Sequence, residues 1–229
     1  DSSQIPSFLL ARFAKKKIKI VLTGDGGDEI SGGYNRYLYF KQYHNLFNKN
    51  NFFKMLLKLS IPILYNLNKF IKLNIFNIWN LNSKLKKLES IVNIKSFSDY
   101  YDASISQGEF DDKYLKSSSF INNKKYVDKK EHTFKDLMYL DLKLYFPDDI
   151  LCKMDRASMC HSIENRTPFA NHQIIEHFFK LPSDLLINKF KTKFILKKLL
   201  SFYLPKDHIS NVKKGFSIPM SFFLKKYLG

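Results

Sequence analysis

The stretch Thr23-Gly24-Asp25-Gly26-Gly27-Asp28-Glu29 follows directly on Ile18, Ile20, Val21 and Leu22, an apolar, β-branched run with the character of a parallel strand covered on both faces. Gly24, Gly26 and Gly27 lie just past that strand, with Gly32 and Gly33 close behind. Such a cluster lets the backbone approach a ligand closely and turn sharply. The acidic side chains between the glycines are more than a phosphate cradle needs, since bare N–H groups suffice there. They point to a nucleotide site that also uses carboxylates, for a metal or for chemistry. The competing reading is a plain turn, because Gly supplies positive φ and Asp hydrogen-bonds its own backbone. The stretch lacks the alternating acids and distant Glu of a calcium loop. Its position favours a ligand, for the carboxyl ends of strands in open α/β sheets are where ligands bind.

Upstream, Ser3 reads as an N-cap and Pro6 as a first-turn residue of a helix reaching about Lys15. Downstream, a helix starts near Tyr34, so the order helix–strand–loop–helix suits one edge of a doubly wound sheet. From Lys41 to Lys130 the chain is rich in Lys, Asn and Phe and reads as helices without a motif. Phe134–Phe146 has helical apolar spacing, and Pro147 is expected to stop it. Asp148 and Asp149 would then open the next helix, where acids favour the positive dipole end, with Ile150, Leu151, Met154, Ala157 and Met159 on its buried side. Asn171 is placed to cap a helix ending before Pro182, and Lys191–Tyr203 reads as another, closed by Pro205.

The chain has 229 residues, a net charge of +17 and two cysteines. Its lysines are spread among Asn, Ile and Phe rather than gathered into an arginine-rich stripe, which argues against nucleic acid as a partner. Cys152 and Cys160 have no zinc-ligand spacing around them and cannot form a disulfide framework. Buried free thiols in a reducing cytoplasm are expected. The apolar segment Ile61–Leu81 is interrupted by Asn66, Asn68, Lys69, Lys72, Asn74 and Asn77, so no membrane span is read there.

Three blocks in order resemble the asparagine synthetase family in its glutamine-hydrolysing, B-type form. They are Asp1-Ser2-Ser3-Gln4-Ile5-Pro6 with VLTGDGGDEISGGYNRY (Val21 to Tyr37), DDILCKMDRASMCHSIENRTPF (Asp148 to Phe169), and Lys213-Lys214-Gly215-Phe216-Ser217-Ile218-Pro219. The resemblance spans nearly the whole chain and is weakest between about Lys41 and Lys130. It implies an α/β fold, the edge of a doubly wound parallel-sheet ATP-pyrophosphatase domain (adenine nucleotide alpha hydrolase-like), followed by a mostly helical C-terminal part. Family members carry an N-terminal glutaminase domain and a Ser-Gly-Gly-x-Asp-Ser pyrophosphate loop, neither of which this sequence contains. Outside the opening cluster its glycines are Gly108, Gly215 and Gly229 alone. The chain starts with Asp rather than Met, and residues 1–229 are expected to be the C-terminal portion of the synthetase domain.

The implied reaction joins ATP to aspartate as β-aspartyl-AMP with release of pyrophosphate; ammonia from glutamine then displaces AMP. By the motif match, Thr23 and Gly24 would contact the nucleotide, Gly24 through its backbone, and Asp25 would take part in forming the adenylate and handling ammonia. Many family members have Glu there, and the shorter Asp reaches about one methylene less far. Asp28 matches a Mg2+-ligand position, where a hard cation prefers carboxylate oxygen, while Glu29 serves equally as a helix cap. Tyr34 matches a site-lining tyrosine, with simple packing as the alternative. Lys213 would meet the pyrophosphate leaving group as a point charge, although Asn211 stands where the family usually has arginine. Arg156 is a phosphate contact or, equally, an ion-pair partner of Asp155 or Glu164. Glu164 and Arg166 would form a scaffolding pair around Thr167-Pro168-Phe169, and Ala170-Asn171 replaces the usual Leu-Asp. His161 is expected to be a satisfied hydrogen-bonder rather than a base. Expected partners are aspartate or a similar carboxylate, glutamine-derived ammonia and a second copy in a homodimer. Two other readings share these residues: a related amidotransferase acting on another carboxylate, such as a sugar acid, and an inactive scaffold remnant.

Overall fold

The structure, a computed structural model, describes residues 3–49, 55–56, 58–64, 96–105, 131–209 and 218. The chain divides into two units, one of residues 1–38 with 137–229 and one of residues 39–136.

In the first unit α1 (Gln4–Ala14) leads into β1 (Ile20–Leu22), the glycine loop and the short α2 (Gly27–Ser31). Ser3 sits at the N-cap of α1, but its side chain makes no capping bond; its carbonyl instead accepts from Ser7 Oγ at 2.9 Å. β1 pairs in parallel with β2 (Glu164–Arg166), in the register Ile20–Glu164, Val21–Asn165, Leu22–Arg166. The expected two-faced burial of this strand is not seen among the described residues, where Ile20 is 44% and Leu22 75% exposed. The reason is geometric: the described sheet has two strands, and the helix Cys152–Met159 packs against β2 rather than over β1. The observed architecture is therefore mostly helical, with one small parallel sheet.

α3 (Asn35–Lys49) begins one residue after Tyr34. In the second unit, α4 (Phe97–Ile105) opens with a reciprocal capping box, in which Ser96 N–H donates to Asp99 Oδ2 at 3.0 Å and Asp99 N–H to Ser96 Oγ at 3.1 Å. Its buried Phe97 meets Phe40 edge-on at 5.7 Å and stacks on His132 at 4.1 Å. Thr133 and Asp136 cap α5 (Phe134–Leu140) in a similar way.

Pro147 does not stop the chain, contrary to expectation. The helix widens into a π-helical segment, Asp141–Leu151, that runs through the proline and continues as α6 (Cys152–Met159). Cys152 N–H reaches back to Pro147 O, five residues away, and this wider register accommodates a ring that would clash in a regular helix. Asp148 and Asp149 accordingly lie inside the segment rather than at a helix start. On α6 Ala157 is buried but Met159 is 54% exposed, so the apolar stripe is shorter than its spacing implied. Both cysteines are free, and Cys160 is exposed rather than buried.

After β2 come a 3-10 turn (Pro168–Ala170), α7 (His172–Lys180), α8 (Ser183–Leu186) and α9 (Phe194–Leu200). Asn171 caps α7 as expected, its Oδ1 accepting from Gln173 N at 2.9 Å. α9 is shorter than the run Lys191–Tyr203, because Lys191 is held in a bridge with Asn188 and Lys193 turns left-handed. Core residues of this unit include Ile30, Tyr37, Leu137, Met138, Ile163 and Leu186.

Candidate active site

Two left-handed glycines bracket α2 and shape the loop: Gly26 with φ 84° at its start and Gly32 with φ 71° at its end. Gly26 and Gly27 also lie beneath aromatic rings. A Cβ on Gly26 would fall 3.2 Å from Phe146 and 3.3 Å from Phe169, and one on Gly27 3.3 Å from Phe169. Phe169 belongs to the block thought to be scaffold, yet it packs on the loop itself. Gly24, by contrast, faces open space, with nothing within 4 Å of such a Cβ. A ligand can approach its backbone there.

Thr23 is tied to the neighbouring strand. Its N–H donates to Arg166 O at 2.9 Å, and its Oγ1 lies 3.3 Å from Thr167 Oγ1. Asp25 is half-buried, and its Oδ2 is a buried oxygen with no hydrogen-bond partner. A buried carboxylate oxygen left unsatisfied calls for a ligand or solvent partner. Asp28, in the first turn of α2, is met by Lys193 Nζ at 3.0 Å from Oδ1. A Cβ on Gly33 would overlap Asp28 Oδ1 and lie 2.5 Å from Lys193 Cε, so the pair crosses directly over that glycine.

Glu29, in the first turn of α2, points inward, 1% exposed, and accepts Tyr34 Oη at 2.6 Å. Burial raises its pKa, against the opposing effect of the Tyr34 hydrogen bond. Tyr34 is itself pushed up by burial and then by the charge of Glu29. It is thus packed and bonded within the protein. Arg36 lies over its ring at 4.0 Å and over Tyr145 at 5.0 Å. The Arg36 guanidinium grips Asp141 Oδ2 through Nε at 3.0 Å and Nη2 at 2.7 Å, and Tyr37 Oη donates to the same oxygen. Asp141 is fully buried. Burial lowers the Arg36 pKa, but Asp141, together with Tyr37 and Tyr34, more than reverses that, and the net shift is upward. Tyr145 is pushed up to about 12 by burial and by Asp149, to which it is hydrogen-bonded.

The structure therefore brings Thr23, Gly24, Asp25, Asp28 and Tyr34 onto one loop and the helix ends beside it. Arg156 is exposed on α6, and Glu164 pairs with Arg166 at 2.7 Å. Lys213 lies outside the described residues. His161 departs from expectation: its Nε2 is buried without a hydrogen-bond partner, and its ring packs against Phe8 at 4.4 Å. Asp141, Arg36 and Lys193 are the additions. A lone acid inside the apolar run Leu137–Phe146 is a signal that could have marked Asp141, and Arg36 stands within the quoted Gly-Gly-Tyr block. Nothing in the sequence separates Lys193 from the other lysines.

Among the described residues no group of three or more His, Cys, Asp or Glu side chains could hold a metal ion. Magnesium at nucleotide sites uses one or two carboxylates together with phosphates, and Asp28 supplies one carboxylate at the loop's edge. No helix of the described residues is long and apolar enough to cross a membrane.

The family model described as asparagine synthase matches residues 1–228. The chain is 27% identical to "Asparagine synthetase [glutamine-hydrolyzing] 1" of Bacillus subtilis (strain 168), over 98% of this chain and 34% of that protein. It is 25% identical to a "Putative asparagine synthetase [glutamine-hydrolyzing]" of Mycobacterium tuberculosis (strain ATCC 25618 / H37Rv), over 98% of this chain and 33% of that protein. It thus spans about a third of the length of these curated relatives. No solved structure matches it. With the family model covering all but one residue, the chain belongs to the asparagine synthase family.

Proposed function

We propose that these residues form the adenylate side of an ATP-dependent amide ligase that converts aspartate to asparagine with ammonia derived from glutamine. The observation that carries the reading is the glycine loop, open at Gly24, with the unsatisfied Asp25 Oδ2 beside it and family membership around it. In the first half-reaction an aspartate carboxylate oxygen bonds to the α-phosphorus of ATP while the bond to pyrophosphate breaks. In the second, the ammonia nitrogen bonds to the acyl carbon, AMP leaves and a proton is lost.

Thr23 and the Gly24 backbone orient the nucleotide, and Asp25 takes the proton from the attacking ammonia. Arg156 and Lys213 draw negative charge toward the departing phosphates, and Tyr34 sets the wall by holding Glu29 in place. A magnesium ion, where bound, would be held by Asp28 and would neutralise phosphate charge. Positioning and charge neutralisation of this kind account for most of phosphoryl-type catalysis.

The test is ATP–pyrophosphate exchange in a full-length protein. Exchange should depend on aspartate, and Asp25→Ala and Lys213→Ala should each lower it by at least about a hundredfold with unchanged unfolding temperature. Exchange that runs with another carboxylate but not aspartate would assign the chain to an amidotransferase of different substrate. Wild-type exchange in both variants would show the site to be misplaced.

A further inference from the structure

Thr167 stands at the cap position of the 3-10 turn Pro168–Ala170, yet its side chain makes no capping bond. Capping is the ordinary use of a threonine hydroxyl in such a place. Here the hydroxyl is turned sideways instead, to Thr23 Oγ1 beyond the end of β1, at 3.3 Å. The backbone fixes this placement on both sides. The pairing of β1 with β2 runs one bond past Leu22–Arg166, through Thr23 N–H to Arg166 O, and so sets the two threonines together at the carboxyl ends of parallel strands. Pro168 favours an extended backbone in the residue before it, and Thr167 is extended, with φ −114° and ψ 90°. Two residues on, Phe169 packs over Gly26 and Gly27, so the turn is also seated on the glycine loop.

Two hydroxyls carry two hydrogens, and a bond between them uses one. Whichever oxygen donates, the other hydrogen is left over, and among the described residues each hydroxyl bonds to the other threonine. Both residues are half-buried. Thr23 directly precedes Gly24, whose backbone is open to approach, and Asp25 follows with its unsatisfied buried oxygen. A leftover donor therefore sits at the carboxyl ends of two parallel strands, where open α/β sheets bind their ligands.

We propose that Thr167 is a positioning residue of the nucleotide site: its hydroxyl donates to Thr23 Oγ1 and so holds the Thr23 hydrogen outward, toward a phosphate oxygen of an adenine nucleotide. An anionic oxygen is the acceptor that makes a hydroxyl donor strongest. In the row Thr167 O–H, Thr23 O–H, phosphate oxygen, both bonds run in one direction and each polarises the next. Without Thr167 the Thr23 hydroxyl loses the donor that directs it. The assignment rests on the nucleotide-binding reading above.

The experiment is calorimetric titration of the full-length protein with AMP and, separately, with adenosine. Thr167→Val keeps the branched shape without the hydroxyl, and should weaken AMP about threefold or more while leaving adenosine binding unchanged. Thr167→Ser, which keeps the hydroxyl, should restore AMP affinity. Thr23→Val should weaken AMP about tenfold. Adding Thr167→Val to it should cost nothing further, because the second hydroxyl acts only through the first. AMP affinity unchanged by Thr167→Val, or not restored by Thr167→Ser, would overturn the assignment. So would losses that multiply in the double variant, or a matched loss for AMP and adenosine, the mark of a merely structural threonine. A wild-type protein that binds neither ligand would instead overturn the nucleotide-binding reading on which the assignment rests.

Discussion

Glu29 shows how a residue's neighbours, rather than its type, set its role. As one of three acids in a glycine-rich stretch it looks like a helix cap, and the fold turns it inward, where Tyr34 Oη donates to its Oε1. Burial makes the charged form costly, and nearby Asp28 and Asp141 add to that cost. The consequence for stability has a definite sign. Because folding raises the pKa above its ordinary 4.5, the contribution of Glu29 to stability is fully present below about 4.5 and is lost as pH rises through the raised value. Glu29→Gln keeps the shape and removes the titration. Denaturant unfolding over a series of pH values should therefore show a loss of stability above pH 4.5 in the wild type that the variant lacks. Identical pH profiles would mean that Glu29 is not held as the structure has it.

At the scale of elements, the adjacent glycines at the end of α2 serve different purposes. Gly32 has φ 71°, and a Cβ there would fall 2.9 Å from Ile187 Cγ1 in the core. Gly33 has no such backbone demand; its Cβ would strike the ends of two side chains, Asp28 and Lys193. Gly32→Ala should cost about 1–3 kcal/mol of stability from the left-handed backbone, with the crowding added. Gly33→Ala should instead leave the unfolding temperature near wild type and weaken ATP-dependent exchange, by pushing the Asp28–Lys193 pair aside. Thermal unfolding and exchange assays on the two variants separate the effects, and equal destabilisation by both would contradict the geometry. The π-helical stretch teaches a related lesson. Pro147 reads as a stop because a regular helix cannot carry it, yet the wider register carries it and delivers Asp141 and Tyr145 to Arg36.

Across the whole molecule, the buried Arg36–Asp141 pair joins segments more than 100 residues apart, the glycine-loop side and the π-helical segment. Removing one member leaves the other's charge uncompensated in the interior, so Asp141→Ala should cost about 3–5 kcal/mol. Urea unfolding of the full-length protein measures this, and a loss below about 1 kcal/mol would show the pair to be no stronger than an exposed one. The same scale separates what could be read in advance from what could not. The loop stood out because Gly26 and Gly32 are demanded by local backbone geometry, and Asn171 because capping is decided within three residues. The exposure of Ile20 and Leu22 on β1 could not be read, since burial depends on which strands and helices lie beside it.

The sequence by itself determined the family, the loop at the end of β1 and the carboxylates along it, because spacing and residue type act over a few neighbouring positions. Only the tertiary structure decided that Glu29 faces Tyr34, that Asp141 pairs with Arg36, and that Lys193 is set on Asp28. Those are contacts between segments distant in the chain. Burial and electrostatic pairing choose such partners, and no local pattern records them.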